Sequence, residues 1–317
     1  MSIEKPGSLT HAQTKLLEAS AAIFGELATA KDAAFLAREL VQASLPHKNP
    51  GDVPAWTRSN GNATLVIQPG WNAAKGKSVG YPYGTIPRLL LFWITTEAIR
   101  TKSRRLELGR SLSEFMAELG LSPETGGGKR GDARRLRDQM ERLFQSRIGF
   151  QKQIEEGART GSAWLNMEVA PKGCLWWDTK HPDQAALWGS WIQLGEDFYA
   201  AVTAAPVPVD MRALRALKRS PLALDLYSWL TYEAFRAHKS GKARFETWEQ
   251  LHAHMGGEYK NMGDFRRKAK LALRKIRVVY PGLKLGKKQG GIEVAPQSYP
   301  ALLPRQVASI EGRWKTL

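Results

Sequence analysis

One cysteine in 317 residues, Cys174, leaves the chain with no possible internal disulfide and no thiolate cluster for a structural zinc. A reducing compartment, the cytoplasm, is therefore the expected home. Long hydrophobic runs are also missing. The longest strongly apolar stretch is LLLFWI, whereas a membrane-spanning helix needs about 20 such residues. The opening MSIEKPGSLTHAQTK is polar and charged, without the apolar centre of a signal peptide, so no membrane partner is expected. No Ser/His/Asp order, acidic metal cluster or cysteine nucleophile stands out. The chain is thus expected to be no enzyme and to carry no metal or other cofactor.

What the chain has in excess is positive charge. It holds 47 Lys and Arg against 30 Asp and Glu, a net +17 with an isoelectric point near 10.0. Such a balance favours a polyanionic partner, because each neutralised phosphate releases counterions. The charge is unevenly placed. Residues 206–317 hold 22 basic against 9 acidic side chains, so +13 of the +17 lies in the last third. A hydrophobic share of 43% is ordinary for a folded chain, and the length suits two domains of about 100–200 residues plus an arm.

Two octamers betray internal repetition. WITTEAIR from Trp93 and WLTYEAFR from Trp229 agree at five of eight positions, 136 residues apart. SEFMAELG from Ser113 and EQLHAHMG from Glu249 keep that offset. GDARRLRDQMERLF from Gly131 and GDFRRKAKLALRKI from Gly263 follow at 132, as if a loop were four residues shorter. By periodicity each copy reads as a proline-led helix, a short strand, a compact helix, a turn, a long basic helix and a hairpin. That is the order of a winged helix-turn-helix.

The second long helix is the better specimen. Asn261 with Asp264 three residues on is a capping pair that starts a helix near Met262, and YPG at Tyr280 stops it. Phe265, Ala269, Ala272, Leu273 and Ile276 recur at the spacing of one buried face, while Arg267, Lys270, Arg274 and Arg277 share the other. LKLGKKQGGIEVAP then alternates about a turn with Lys287 and Lys288, the pattern of a basic-tipped wing. In the first copy Ala133, Leu136, Met140, Leu143 and Phe144 form the apolar set, and Lys129, Arg130, Arg134, Arg135, Arg137 and Arg142 the exposed one. Asp138 and Glu141 dilute the charge there. A basic helix face alone is commonly only a solvated surface. Two of them in helix-turn-helix context, with a wing and a lopsided charge, point to duplex DNA ahead of RNA, since no aromatic RNA-binding strand pattern is present.

GYPYGTIPRLLLFWITTEAIR from Gly80, LGRSLSEFMAELGL from Leu108 and PVPVDMRALRALKRSPLALDLYSWLTYEAF from Pro206 resemble the plasmid-encoded RepA group of replication initiators, over about Gly80 to Pro296. The resemblance implies tandem winged-helix domains that bind direct repeats, or iterons, at a plasmid origin. It also implies opening of an adjacent AT-rich segment, recruitment of host initiator and helicase proteins, and dimers in balance with monomers that repress their own promoter. The family pattern makes the second domain the reader, with Lys260, Asn261, Arg266, Arg267, Lys270, Arg274 and Arg277 on bases or phosphates and Lys284, Lys287 and Lys288 on backbone. The first domain would contact backbone and dimerise.

The expected architecture is α+β and mainly α. It comprises a helical arm (1–45), a linker with one strand (46–80), two winged-helix domains related by duplication (81–205 and 206–300) and a tail (301–317). Leu9, Leu16, Ile23 and Ala30 in the arm keep heptad spacing, but Glu26 spoils the companion row, so packing as a helical hairpin rivals a coiled coil. GWNAAKGKS from Gly70 imitates a phosphate-binding loop with its glycines one residue too far apart. HAH at His252 to His254, with Tyr259, imitates a nicking enzyme's metal motif and nucleophile. Its helical surroundings would make the rings diverge, as polar positions near DNA. The tryptophans are expected to close cores. Two rival functions remain, a winged-helix transcriptional repressor and a nicking replication enzyme.

Overall fold

The computed structural model describes residues 10–29, 32–42, 44–61, 63–109, 111–121, 131–157, 159–176, 189–256 and 258–302. Thr10 caps α1 (His11–Gly25) through a reciprocal bond pair with Gln13. The arm does not stay helical as expected. It turns into β1 (Ala33–Ala37), whose AAFLA is buried at every position, and then into the short α2 (Arg38–Gln42). An all-apolar pentapeptide has no period, so helix and buried strand could not be told apart from it. Leu9 and Ala30 lie outside the described residues.

The segment expected to be a linker with one strand is a second correction, because more than one strand forms in it. It holds β2 (Trp56–Asn60), β3 (Ala63–Gln68) and the small pair β4 (Trp71–Asn72) and β5 (Lys77–Ser78). Its Gly, Pro and Asn sit at turns between strands too short for alternation to register, and β3 buries Leu65 and Ile67.

The first of the two expected units follows with α3 (Ile86–Thr101), β6 (Arg105–Glu107), α4 (Leu112–Glu118) and α5 (Asp132–Phe144). It continues through β7 (Arg147–Glu156), β8 (Arg159–Glu168), β9 (Lys172–Cys174), β10 (Trp191–Gln193) and α6 (Glu196–Ala204). The second comprises β11 (Pro206–Asp210), α7 (Met211–Leu217), α8 (Pro221–Ser240), β12 (Arg244–Thr247), α9 (Trp248–Met255), α10 (Met262–Val279) and β13 (Gly291–Val294). The sheets run β2-β3-β7-β8, β6-β10-β9, β1-β11 and β12-β13, all antiparallel. The fold is therefore mixed, with ten helices among the described residues.

Several residues 136 positions apart make similar contacts. Trp93 in α3 and Trp229 in α8 are both buried. Glu97 pairs with Arg100, and Glu233 with Arg236. Ser111 caps α4 by accepting from the Glu114 N–H, and Thr247 caps α9 by accepting from the Gln250 N–H. Each couple keeps the offset of 136 residues.

One hydrophobic core joins the two units, running from Leu36 through α3, α5 and α8 to Val294. The arm is stitched into it. β1 pairs with β11, with Phe35 opposite Pro208, and α1 rests Leu16, Ala19 and Ile23 on the core beside α7 and α10.

Candidate nucleic-acid interface

α10 is built as its sequence requires. The Asn261 side chain accepts from the Asp264 N–H at 2.8 Å and satisfies one orphan donor of the first turn. Phe265, Ala269 and Ile276 are fully buried, and Ala272 and Leu273 nearly so, which fixes the rotation of the helix. Lys260, Asn261, Arg266, Arg267, Lys270, Arg274 and Arg277 are then all exposed. Three of these have local duties. Asn261 is the cap, Arg267 is held at 2.5 Å by Asp264, and the Arg266 guanidinium lies 5.7 Å from the Trp248 ring. Among the described residues Lys270, Arg274 and Arg277 have no carboxylate partner. A row of like charges on successive turns repels itself, and a polyanion relieves that repulsion. Lys268 and Lys275, absent from the expected set, are exposed too, and Leu271 stands 41% exposed among the cations.

The hairpin after α10 forms against β12. Gly286 donates to the Glu293 carbonyl at 2.8 Å and Ala295 to the Lys284 carbonyl at 2.9 Å, so residues 284–286 flank β13 on the side opposite β12. Trp248 donates to the Gly290 carbonyl at 3.0 Å, which ties the tip to the start of α9. Gly291 is needed there, because a Cβ would run into the Glu246 carbonyl oxygen. Lys284, Lys287 and Lys288 are exposed, with the Lys288 ammonium 4.2 Å from the Phe245 ring centre.

The corresponding face of α5 is weaker. Arg134 and Arg135 are exposed, the latter paired with Asp132 at 3.1 Å, while Arg137 is only half exposed. Arg142, expected outward, instead donates to the Tyr81 carbonyl at 3.3 Å and lies over the Tyr83 ring. It braces the loop that leads into α3. Lys129 and Arg130 lie outside the described residues.

Behind α10 sits a polar cluster that the sequence reading missed. Arg88 of α3 bonds Asp225 of α8 in a two-pronged contact at 2.7 and 2.8 Å, and gives its remaining donors to the carbonyls of Leu45, Pro46 and Gly84. His47 Nε2 lies 2.7 Å from Asp225, and the His47 N–H donates to Glu258 at 2.9 Å. Arg58 of β2 reaches the other Glu258 oxygen at 3.0 Å and the Ser44 hydroxyl at 2.9 Å. Glu258 stands in the turn that delivers Asn261, so the chain around His47 and Arg58 holds the approach to α10. Burial alone would raise the Asp225 carboxyl, but the Arg88 charge and the bonds from His47 and Arg88 outweigh it and hold the group well below the carboxylate range. Burial, opposed by the bond to Asp225, pushes the His47 imidazole below its usual value. One signal was present, an arginine set inside the apolar run IPRLLLFWI.

The HAH pair is also corrected. His254 is not an outward position. It is buried, its Nε2 lies 3.1 Å from the Val41 carbonyl, and burial drives its pKa down to about 4. His252 stands edge-on to Phe265 from the other side of α9, and Tyr259 packs on the same ring. No group of three potential metal ligands occurs among the described residues. GWNAAKGKS forms the β4-β5 hairpin, with no helix opening behind it to receive a phosphate. The tryptophans divide: Trp93, Trp229 and Trp248 are buried, whereas Trp71, Trp164 and Trp176 are exposed and close no core. Trp177 lies outside the described residues, none of whose helices is long and apolar enough to cross a membrane.

No curated protein sequence matches the chain. One similar solved structure is the crystal structure of selenomethionine derivatives of domain 2 and domain 3 of RctB. It aligns with 80% of this chain and 94% of that one at 12% identity and a TM-score of 0.49. The sequence pattern of the family described as plasmid-encoded RepA protein matches residues 81–250, more than half of the 317, and the chain belongs to that family.

Proposed function

We propose that the chain is a plasmid replication initiator that binds duplex DNA at direct repeats in the origin through two winged-helix units of common descent. The observation that carries this reading is α10, a helix with one face sealed in the core, a row of cations on the other, and a lysine-tipped hairpin directly after it. An α-helix fits the major groove of B-form DNA, and a hairpin beside it can grip the flanking backbone. α10 is the reader, with Arg267, Lys270, Arg274 and Arg277 toward the groove and Lys260, Lys284, Lys287 and Lys288 on phosphates. α5, with Arg134, Arg135 and Arg137, gives weaker backbone contacts.

The landmarks recurring at 136 residues support the duplication. Membership of the plasmid-encoded RepA family supports the replication role, and with it recruitment of host initiator and helicase proteins and a monomer–dimer balance acting through the first unit. The protein acts by binding and deforming DNA and catalyses no bond cleavage. The burial of His254 and the packing of Tyr259 on Phe265 weigh against the nicking alternative. Footprinting on the plasmid that carries the gene tests the reading. Phased protection of tandem repeats beside an AT-rich tract is expected. One protected palindrome and no repeats would make the protein a repressor instead.

A further inference from the structure

A cavity of about 860 Å³ opens beside α8, and neither α10 nor the hairpin tip contributes to its lining. Its floor is apolar, made by Pro206, Val207 and Pro208 of β11 with Leu302. Tyr232 and Phe235 wall it, and Phe235 remains 42% exposed. The rim is basic, with Arg38, Arg236, Lys239 and Arg244 arriving from three different elements. Glu39 pairs with Arg38, and Glu233 with both Arg236 and Arg244, but neither carboxylate lines the cavity. Lys239 has no carboxylate partner among the described residues.

We propose that this cavity docks a short acidic peptide, carried by another protein, that inserts one bulky apolar side chain between Phe235 and the β11 floor. Concave apolar sites with few convergent charges take such an anchor, and the rim sets the sign of its flanks. Addition of a strand to β11 is ruled out by its prolines. The Phe35 N–H turns away from β11 to the Thr96 hydroxyl at 3.0 Å, so Phe35 and its partner Pro208 form a pair whose amides point outward, and Pro206 does likewise. The outer edge of β11 therefore offers no N–H at either position. Single-stranded DNA is a poorer occupant, because the ring faces on which bases would stack already carry cations, Arg236 over Tyr232 at 5.5 Å and Lys239 over Phe235 at 5.9 Å. The chain's own residues 303–317 carry three basic side chains and one acidic, the wrong sign for this rim.

The test uses the full chain and a fluorescein-labelled peptide of aspartates and glutamates around one phenylalanine. Saturable binding is expected, weakened roughly tenfold or more by Lys239→Glu and by Phe235→Ala, the scale on which losing one anchor contact is felt. Replacing the peptide's phenylalanine by alanine has the same effect. Both variants stay folded, with Phe235→Ala losing some thermal stability because Phe235 is partly covered, and both keep wild-type duplex-DNA affinity, which separates this site from the DNA reading. Peptide binding indifferent to both substitutions overturns the proposal. Competition by an oligothymidine strand as effective as by unlabelled peptide makes the cavity a single-strand groove, and competition by a peptide of residues 303–317 makes it a seat for the chain's own terminus. Either outcome overturns it too.

Discussion

Arg88 and Asp225 meet fork to fork, 137 positions apart in sequence, and join the first helix of one unit to the first long helix of the other. With His47 held neutral by burial, the cluster balances two cations, Arg88 and Arg58, against two carboxylates, Asp225 and Glu258. Removing one member strands a buried charge. Arg88→Ala is expected to cost about 3–5 kcal/mol, read from the urea midpoint. Replacing both Arg88 and Asp225 by leucine should recover much of that loss, since no lone charge then stays buried. A double variant as unstable as the single one would mean that the pair does not act as a unit.

The sequence announced α10 to the residue, because a capping pair, a 3.6-residue apolar period and a Tyr-Pro-Gly stop all agree there. It also announced that Trp93 and Trp229 are both buried helix positions. The strands β1 and β2 stayed hidden, whereas β3 is the one strand expected in the linker. AAFLA owes its strand state to pairing with Pro206–Asp210, a partner far off in sequence. The Arg88 cluster was hidden for the same reason, since Arg58, Arg88, Asp225 and Glu258 become neighbours only when four segments pack together. His254 shows the limit in another way. Its helix was legible, but which face of that short helix meets Val41 was not.

Buried His254 makes stability depend on pH. Its pKa is pushed down to about 4 from an ordinary 6.5, by burial first and by the Arg58 charge, against the Val41 carbonyl and Asp225, which favour protonation. Between those values the unfolded chain takes up a proton that the folded chain refuses. Stability from this group is thus complete above pH 6.5 and falls as pH drops to 4, by about 3 kcal/mol. The lowered His47 acts in the same direction. Denaturant unfolding at neutral and mildly acidic pH should show the decline, and His254→Gln should flatten it. An equal decline in that variant would assign the effect elsewhere.

Arg274 and Lys287 divide the DNA contact on the proposed reading. Arg274→Ala, like Arg267→Ala, should weaken binding to the specific repeat by about 1–3 kcal/mol and relax base preference. Lys287→Ala should lower affinity for every duplex and reduce the slope of log affinity against log salt by about 1. Titrations at several salt concentrations on specific and random duplexes separate the two. Identical behaviour would abolish the distinction between reader and clamp.

Leu271 offers the sharpest test of which face of α10 enters the groove. An exposed leucine gains nothing from water, and this one sits one turn from both Arg267 and Arg274 on the same face. In a major groove its natural neighbour is the methyl group of thymine, which no cation reads. Leu271→Gln should cost no more than about 1 kcal/mol of folding stability, because the residue is 41% exposed and glutamine keeps a stem of similar length. It should leave the salt slope unchanged, because no charge is altered. What should change is preference at one or two base pairs, away from thymine and toward adenine, whose N6 and N7 edge suits a glutamine amide. Selection from randomised duplexes with the wild type and the variant reads this directly. Identical selected sequences would mean that the Leu271 face looks away from the bases, and that α10 lies across the backbone.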